Sequence, residues 1–140
     1  MPGVGEDCPD FALSDQNGSA WTLKGIKESG KRTLMYWYPK ADTPDCTVEA
    51  QGFQAYLPHF EEKGVQVLGA STDSHNVNKA FAAKFSITFP LLSDQMVKFP
   101  KAMGFEPTRW AILISADGKL EKVWPAVDAA SFPQAVLAEL

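Results

Sequence analysis

The sequence predicts an α/β fold in which helices cover both faces of a mixed central sheet. Strand-length hydrophobic stretches alternate with helical segments along most of the chain, as in helix-covered sheets. Residues 33–38 are almost all apolar or aromatic, which is typical of a central strand covered on both faces. Residues 116–118, Ala-Asp-Gly, predict a late hairpin turn, and a hairpin makes the sheet mixed rather than purely parallel.

The elements follow one another in a regular order. Residues 1–19 are expected to form an ordered arm with short strands, and residues 21–23 suggest a second short strand. Thr43 before Pro44 predicts the start of a long helix, which Pro58 is expected to kink or split. The predicted elements are strand 33–38, helix 44–63, strand 65–70, helix 75–85, strand 89–92, helix 94–103, strand 110–114, strand 120–124 and helix 128–140. This order is the plan of a thioredoxin-like three-layer sandwich with an N-terminal extension and an extra strand–helix insert.

Length and composition exclude several classes of protein. The chain has 140 residues, which we interpret as a single domain, 1–140. Its formal net charge of −4 argues against a nucleic-acid or anionic-membrane partner. No apolar stretch approaches the roughly 18 residues that span a bilayer. The N-terminus resembles neither a secretory signal nor a transit peptide, so the expected location is cytoplasmic, where cysteines stay reduced.

Cys46 is the residue with the strongest indication of chemistry. It follows the buried strand 33–38 and falls in the first turn of the predicted helix. Free backbone N–H groups and the helix dipole favour an anion at that position, and the thiolate is the nucleophilic form of cysteine. Free cysteines are also among the most buried residue types. The residues alone therefore allow either a reactive thiol or a structural core residue.

Other kinds of site have less support. His59 lies thirteen residues beyond Cys46 and past Pro58, and His75 opens a different helix, so both are interpreted as surface residues rather than a base for the thiol. Two distant cysteines and two scattered histidines match no zinc spacing, and no phosphate-binding glycine loop occurs. No metal or cofactor is expected. Core positions are expected for the aromatic residues Phe11, Trp37, Phe53, Phe81, Phe85 and Phe89.

The pattern Pro39-x-x-x-Thr43-x-x-Cys46 resembles the PxxxT/SxxC motif of peroxiredoxins, the AhpC/TSA-like thiol peroxidases. The run 38–49 is similar to the bacterioferritin comigratory protein, or peroxiredoxin Q, subfamily. Further family-like segments follow in the family's order: residues 5–13, the S-x-D loop at 71–74, the F-P-L-L-S-D run at 89–94 and residues 109–118. The resemblance covers nearly the whole chain.

The resemblance implies a role for each residue of the motif. Cys46 would be the peroxidatic thiolate, which attacks the peroxide O–O bond and becomes a sulfenic acid. Thr43 would hydrogen-bond the peroxide, and Pro39 would shield the site. Arg109 would stabilise the thiolate and the charge on the leaving oxygen. The implied function is reduction of hydrogen peroxide and small organic hydroperoxides, with an external thiol such as thioredoxin, glutaredoxin or glutathione as reductant.

Three positions depart from the family pattern. Gln51 stands where many subfamily members carry a resolving cysteine, which predicts a one-cysteine cycle. Cys8 replaces a usual alanine, either as a substitute resolving cysteine or as a small core residue. The bulky Trp110 follows Arg109, where it could narrow the pocket. A peroxide-sensing relay that oxidises a partner protein through a mixed disulfide stays open as an alternative. A monomer or weak homodimer is expected.

Overall fold

The computed structural model describes residues 2–140, and everything below concerns that part of the chain. It contains seven strands, with bounds β1 Ala12–Ser14, β2 Ala20–Thr22, β3 Arg32–Trp37, β4 Val65–Ser71, β5 Leu91–Ser93, β6 Trp110–Ile114 and β7 Leu120–Trp124. The five helices are α1 Leu23–Ser29, α2 Pro44–Glu62, α3 His75–Phe85, α4 Lys98–Met103 and α5 Phe132–Ala138.

The strands form one mixed sheet in the order β2-β1-β5-β4-β3-β6-β7. Strands β3, β4 and β5 are parallel, whereas β6 runs antiparallel to β3 with Trp37 opposite Trp110. The carboxyl ends of β3, β4 and β5 therefore meet the amino end of β6 at one edge of the sheet, which we call the upper edge. Residues that follow β3 and residues that precede β6 come together there.

Two hydrophobic cores lie on opposite faces of the sheet, because successive side chains of a strand alternate between its faces. The core that includes Cys46 takes Leu34 and Tyr36 from β3 and packs against α2, α3 and α5. The core that includes Cys8 takes Met35 and Trp37 from the same strand and packs against α1 and α4. The two cysteines thus belong to different layers of the molecule.

The central elements agree closely with the sequence predictions, but α1 was missed. The sequence predicts a short strand over residues 21–23, whereas β2 ends at Thr22 and a helix begins at once. The Thr22 side chain accepts a hydrogen bond from the Gly25 N–H, and Gly30 takes the left-handed conformation that ends the helix. A threonine cap and a terminal glycine are recognisable helix signals, but Gly25 inside so short a segment weakens them.

Several boundaries also differ from the predictions. β5 begins at Leu91 instead of residue 89, α4 at Lys98 instead of residue 94, and α5 at Phe132 instead of residue 128. Asp94 lies in the turn before α4, where its carboxylate accepts the N–H groups of Lys98 and Phe99. Its side chain thus satisfies N–H groups of the first turn of α4, while its backbone lies one turn before the helix.

The sequence predicts a kink or a split at Pro58, and the split does not occur, since one helix runs from Pro44 to Glu62. Pro58 is exposed on the outer face of the helix. Proline removes one backbone hydrogen bond, and on an outer face the carbonyl left free is open to water. None of the helices among residues 2–140 combines the length and hydrophobicity needed to cross a bilayer.

Candidate active site

Cys46 lies in the first turn of α2, at the upper edge of the sheet. Thr43 is the residue before the helix, Pro44 opens it, and the thiol of Cys46 is almost completely buried, with 1% of the residue exposed. The extended backbone of Thr43 turns the chain from the end of β3 into the helix. The thiol therefore sits beside helix N–H groups that favour a negative charge.

The guanidinium of Arg109 contacts this thiol. Its Nη2 lies 3.4 Å from Cys46 Sγ and donates a hydrogen bond to it. Arg109 immediately precedes β6, and the antiparallel pairing of β6 with β3 brings it next to the start of α2. Its side chain is only 15% exposed. The guanidinium therefore presents a positive charge and a hydrogen-bond donor directly to the sulfur.

Glu49 holds the other side of the same guanidinium. Its Oε1 accepts a hydrogen bond from Arg109 Nη1 at 2.7 Å, and its side chain is fully buried. Burial raises the pKa of Glu49 to about 7, although the contact with Arg109 opposes the rise. Burial disfavours the charge of Arg109, but its contacts with Cys46 and Glu49 outweigh this effect and raise its pKa. Arg109 thus stays cationic between two acidic groups.

No role was predicted for Glu49 from the sequence, although it stands at the end of the family-like run 38–49. A signal was present, because residues three apart on a helix lie on the same face, and Glu49 follows Cys46 by three positions. The other oxygen, Oε2, is buried without a hydrogen-bond partner among the described residues. Glu49 is therefore a buried ionisable group of the site itself.

Thr43 and Pro39 lie in the connection between β3 and α2. The Thr43 hydroxyl donates to the Lys40 carbonyl oxygen at 2.7 Å and forms no cap bond to the helix. Because its proton is already engaged, the hydroxyl oxygen is left as an acceptor for an incoming O–H group. Pro39 is exposed at the start of the connection.

Cys8 lies far from Cys46. Its backbone N–H donates to Gly118 in the turn after β6, whereas Arg109 reaches Cys46 from the other end of that strand. The length of β6 alone separates the two regions by about 13 Å, and the cysteines also face opposite cores. A disulfide needs Cα atoms within about 7 Å. Both thiols are free, and burial raises the pKa of Cys8 to about 12.

Three other expectations have clear outcomes. Trp110 does not narrow the site, because its indole is fully buried in the opposite core and stacks on Trp37 at 5.8 Å. The alternation of side chains along β6 sends Trp110 away from the face that Arg109 serves. His59 is exposed, as predicted. His75 was also expected at the surface, but it is half-buried, and its buried Nε2 has no hydrogen-bond partner among the described residues.

Comparisons with known proteins identify the family. The AhpC/TSA family model matches residues 4–123. Peroxiredoxin Bcp of Escherichia coli is 38% identical over 133 residues, covering 86% of this chain and 84% of the relative. Peroxiredoxin Bcp of Xanthomonas campestris is 34% identical over 143 residues, covering 94% and 88%.

Solved structures agree with these sequence matches. Peroxiredoxin Q of Xanthomonas campestris, in a structure of a cysteine-to-serine mutant, aligns with a TM-score of 0.89 at 32% identity, covering 97% of this chain and 96% of that one. The bacterioferritin comigratory protein of the same organism, studied for its alkyl peroxide reduction activity, aligns with a TM-score of 0.89 at 31% identity, covering 98% and 96%.

The fold and the relatives define the class as thioredoxin-fold thiol peroxidases. The chain belongs to the AhpC/TSA family of peroxiredoxins.

Proposed function

We propose that this peroxiredoxin reduces hydrogen peroxide and small organic hydroperoxides through a sulfenic acid on Cys46, in a one-cysteine cycle completed by an external thiol. One observation carries the proposal: the Arg109 guanidinium lies 3.4 Å from the buried Cys46 sulfur at the start of a helix. The helix N–H groups and the guanidinium present positive charge to the sulfur in a place sheltered from bulk water, and the proposed nucleophile is the thiolate.

In the first step, the Cys46 thiolate attacks the terminal oxygen of the peroxide and its O–O bond breaks. The sulfur is oxidised to the sulfenic acid, the peroxide is reduced, and the leaving oxygen departs as an alkoxide or hydroxide that takes up a proton. The Thr43 hydroxyl oxygen accepts the peroxide O–H and so orients the substrate. Arg109 donates to the leaving oxygen as its charge develops. Pro39 shields the entrance.

Recovery of the thiol requires a reductant from outside the chain. Gln51 offers no thiol within α2, and Cys8 is a buried group of the opposite core with a high pKa. An external thiol such as thioredoxin, glutaredoxin or glutathione attacks the sulfenic sulfur, releases water and leaves a mixed disulfide. A second thiol then displaces Cys46, which completes the cycle with one oxidised disulfide.

A second candidate function, a peroxide-sensing relay, is favoured because position 51 carries glutamine instead of a resolving cysteine. A sulfenic acid that no internal cysteine captures lives long enough to react with a thiol of a partner protein. The chain would then act as a peroxide-sensing relay that oxidises its partner through a mixed disulfide. Rapid turnover with a generic thiol such as dithiothreitol supports the peroxidase, whereas a single turnover that stalls supports the relay.

Replacement of the proposed nucleophile tests the function directly. We expect Cys46→Ser to reduce peroxide consumption with dithiothreitol to the uncatalysed rate, because a serine hydroxyl is not ionised near neutral pH. The matched control is Cys8→Ala, which removes the other thiol and places the residue usual in the family at that position. Its activity is expected to equal that of the wild type. Peroxidase activity that survives Cys46→Ser would exclude Cys46 as the nucleophile.

A further inference from the structure

The connection from β3 to α2, residues 38–43, is held in place by residues of the β4–α3 loop and of α3. The contacts come from two sources, the β4–α3 loop and α3 itself. They are Asp73 Oδ2 with the Ala41 N–H at 2.8 Å, Lys84 Nζ with Asp42 Oδ2 at 2.9 Å, and the Tyr38 hydroxyl with Asn78 Oδ1. The active-site connection therefore depends on an element that carries none of the proposed catalytic residues.

Of these three contacts, the one made by Asp73 reaches the backbone of the connection. The Ser71 hydroxyl donates to the same Oδ2 at 2.8 Å and also accepts the Asp73 N–H at 3.2 Å, so the carboxylate is fixed in orientation. Ser71 is fully buried, and Ala41 is only 6% exposed. A buried backbone N–H without a partner is strongly unfavourable, so Asp73 satisfies a group that the fold requires to be paired.

The backbone at Ala41 leads directly into the turn that carries Thr43. Asp42, the next residue, has a φ of 59°, a left-handed conformation that turns the chain sharply. Thr43 follows and begins the approach to Cys46, and its hydroxyl bonds back to Lys40 across this turn. Anchoring the Ala41 amide thus holds the turn that orients the Thr43 hydroxyl. The S-x-D loop at residues 71–74 therefore has a structural role, which is to hold the Ala41 amide.

We propose that Asp73 is a positioning residue for peroxide reduction, acting through the Ala41 amide on the Thr43 hydroxyl. The proposal rests on the function proposed above and adds a residue that does not touch the substrate. The Lys84–Asp42 contact is secondary, because both side chains are about half exposed and water screens the pair. Displacements of about 1 Å are enough to slow a well-oriented reaction about 100-fold.

Asp73→Ala tests the proposal through the rate of Cys46 oxidation by hydrogen peroxide, followed by stopped-flow tryptophan fluorescence. We expect that second-order rate constant to fall by about 10- to 100-fold. Alkylation of Cys46 by iodoacetamide should stay close to the wild-type rate, because the contact with Arg109 remains and alkylation needs no Thr43. Asp73→Asn keeps an acceptor oxygen for Ala41 and is expected to restore most of the peroxide rate.

Asp94→Ala is the matched control for a general loss of stability. Asp94 also lies at the upper edge and accepts two backbone N–H groups, but these belong to α4 and not to the β3–α2 connection. We expect it to lower the free energy of unfolding while the peroxide rate stays near wild type. The proposal would be overturned if Asp73→Ala left the rate of Cys46 oxidation by peroxide unchanged. It would also be overturned if Asp73→Ala and Asp94→Ala lowered that rate by the same factor. A wild type that consumes no peroxide would instead overturn the proposed function.

Discussion

At the scale of single residues, the site places one cation between two acidic groups in a buried space. Arg109 donates to Cys46 with one nitrogen and to Glu49 with another. If both acids are ionised, the three groups together carry one excess negative charge away from water, which is unfavourable. Protonation of Glu49 removes that excess charge. Burying the Glu49 carboxylate beside Arg109 therefore costs free energy. The raised pKa of Glu49 reflects that cost.

This arrangement predicts how stability depends on pH. The folded protein holds the Glu49 proton up to about pH 7, whereas the unfolded chain releases it near the ordinary value of 4.5. The folded state thus binds more protons in that range, and the free energy of unfolding falls as the pH rises. Between about pH 5 and about pH 8, we expect the free energy of unfolding of the wild type to fall by about 1–3 kcal/mol more than that of Glu49→Gln. Urea unfolding at each pH measures the difference.

The comparison isolates one group, because the two proteins share every other titrating residue. Parallel curves of unfolding free energy against pH for the wild type and Glu49→Gln would mean that Glu49 does not titrate in this range.

The position of Glu49 was predictable from its spacing to Cys46. The contact of Arg109 with Cys46 was not, because it joins residues 63 positions apart and depends on how β6 pairs with β3. Only the family resemblance pointed to Arg109.

At the scale of elements, helix α5 packs closely against helix α2, which carries the Cys46 thiol. Gly52 of α2 lies against Pro133 of α5, and a Cβ added at Gly52 would lie 2.8 Å from Pro133 Cγ. The proline ring cannot move aside as a flexible chain end could. Further along the interface, Phe53 packs edge-on against Phe132, with ring centroids 6.1 Å apart. The contact explains why a glycine interrupts an otherwise ordinary helix.

Gly52→Ala is expected to lower the free energy of unfolding by about 1 kcal/mol. Overpacking costs about 1–3 kcal/mol, and the better helix propensity of alanine offsets up to about 1 kcal/mol of it. Urea unfolding measures the change. In a Pro133→Ala background the clash is absent, so the same substitution should stabilise the protein instead. A Gly52→Ala variant more stable than wild type would show that α5 is not packed against this position.

The elements also show where sequence patterns are sufficient and where they are not. Both β6 and β7 match their predicted bounds, because short apolar and alternating runs are flanked by clear turn residues. Asp94 was expected to begin a helix, but Val97 has a left-handed φ of 54°, so α4 begins only after it. A valine in that conformation is rare and depends on the surrounding tertiary structure, which no local pattern records.

At the scale of the whole molecule, the sheet separates the two thiols. Cys46 lies at the upper edge and contributes to the core beneath α2, whereas Cys8 lies beside the turn after β6 and faces the opposite core. A direct disulfide between them would require one cysteine to cross the sheet. Sequence alone could not decide between the two roles of Cys8, because it gives the spacing along the chain but not the layer. The geometry favours the core-residue interpretation and the one-cysteine cycle.

Intact-mass measurement after one equivalent of hydrogen peroxide, without reductant and with a sulfenic-acid trap such as dimedone, tests the account most directly. The wild type and Cys8→Ala are compared. We predict a single trap adduct on Cys46 in both proteins, because no internal thiol reaches the sulfenic acid. A wild type that instead loses the mass of two hydrogen atoms, with the loss absent in Cys8→Ala, would contradict the account and establish Cys8 as the resolving cysteine.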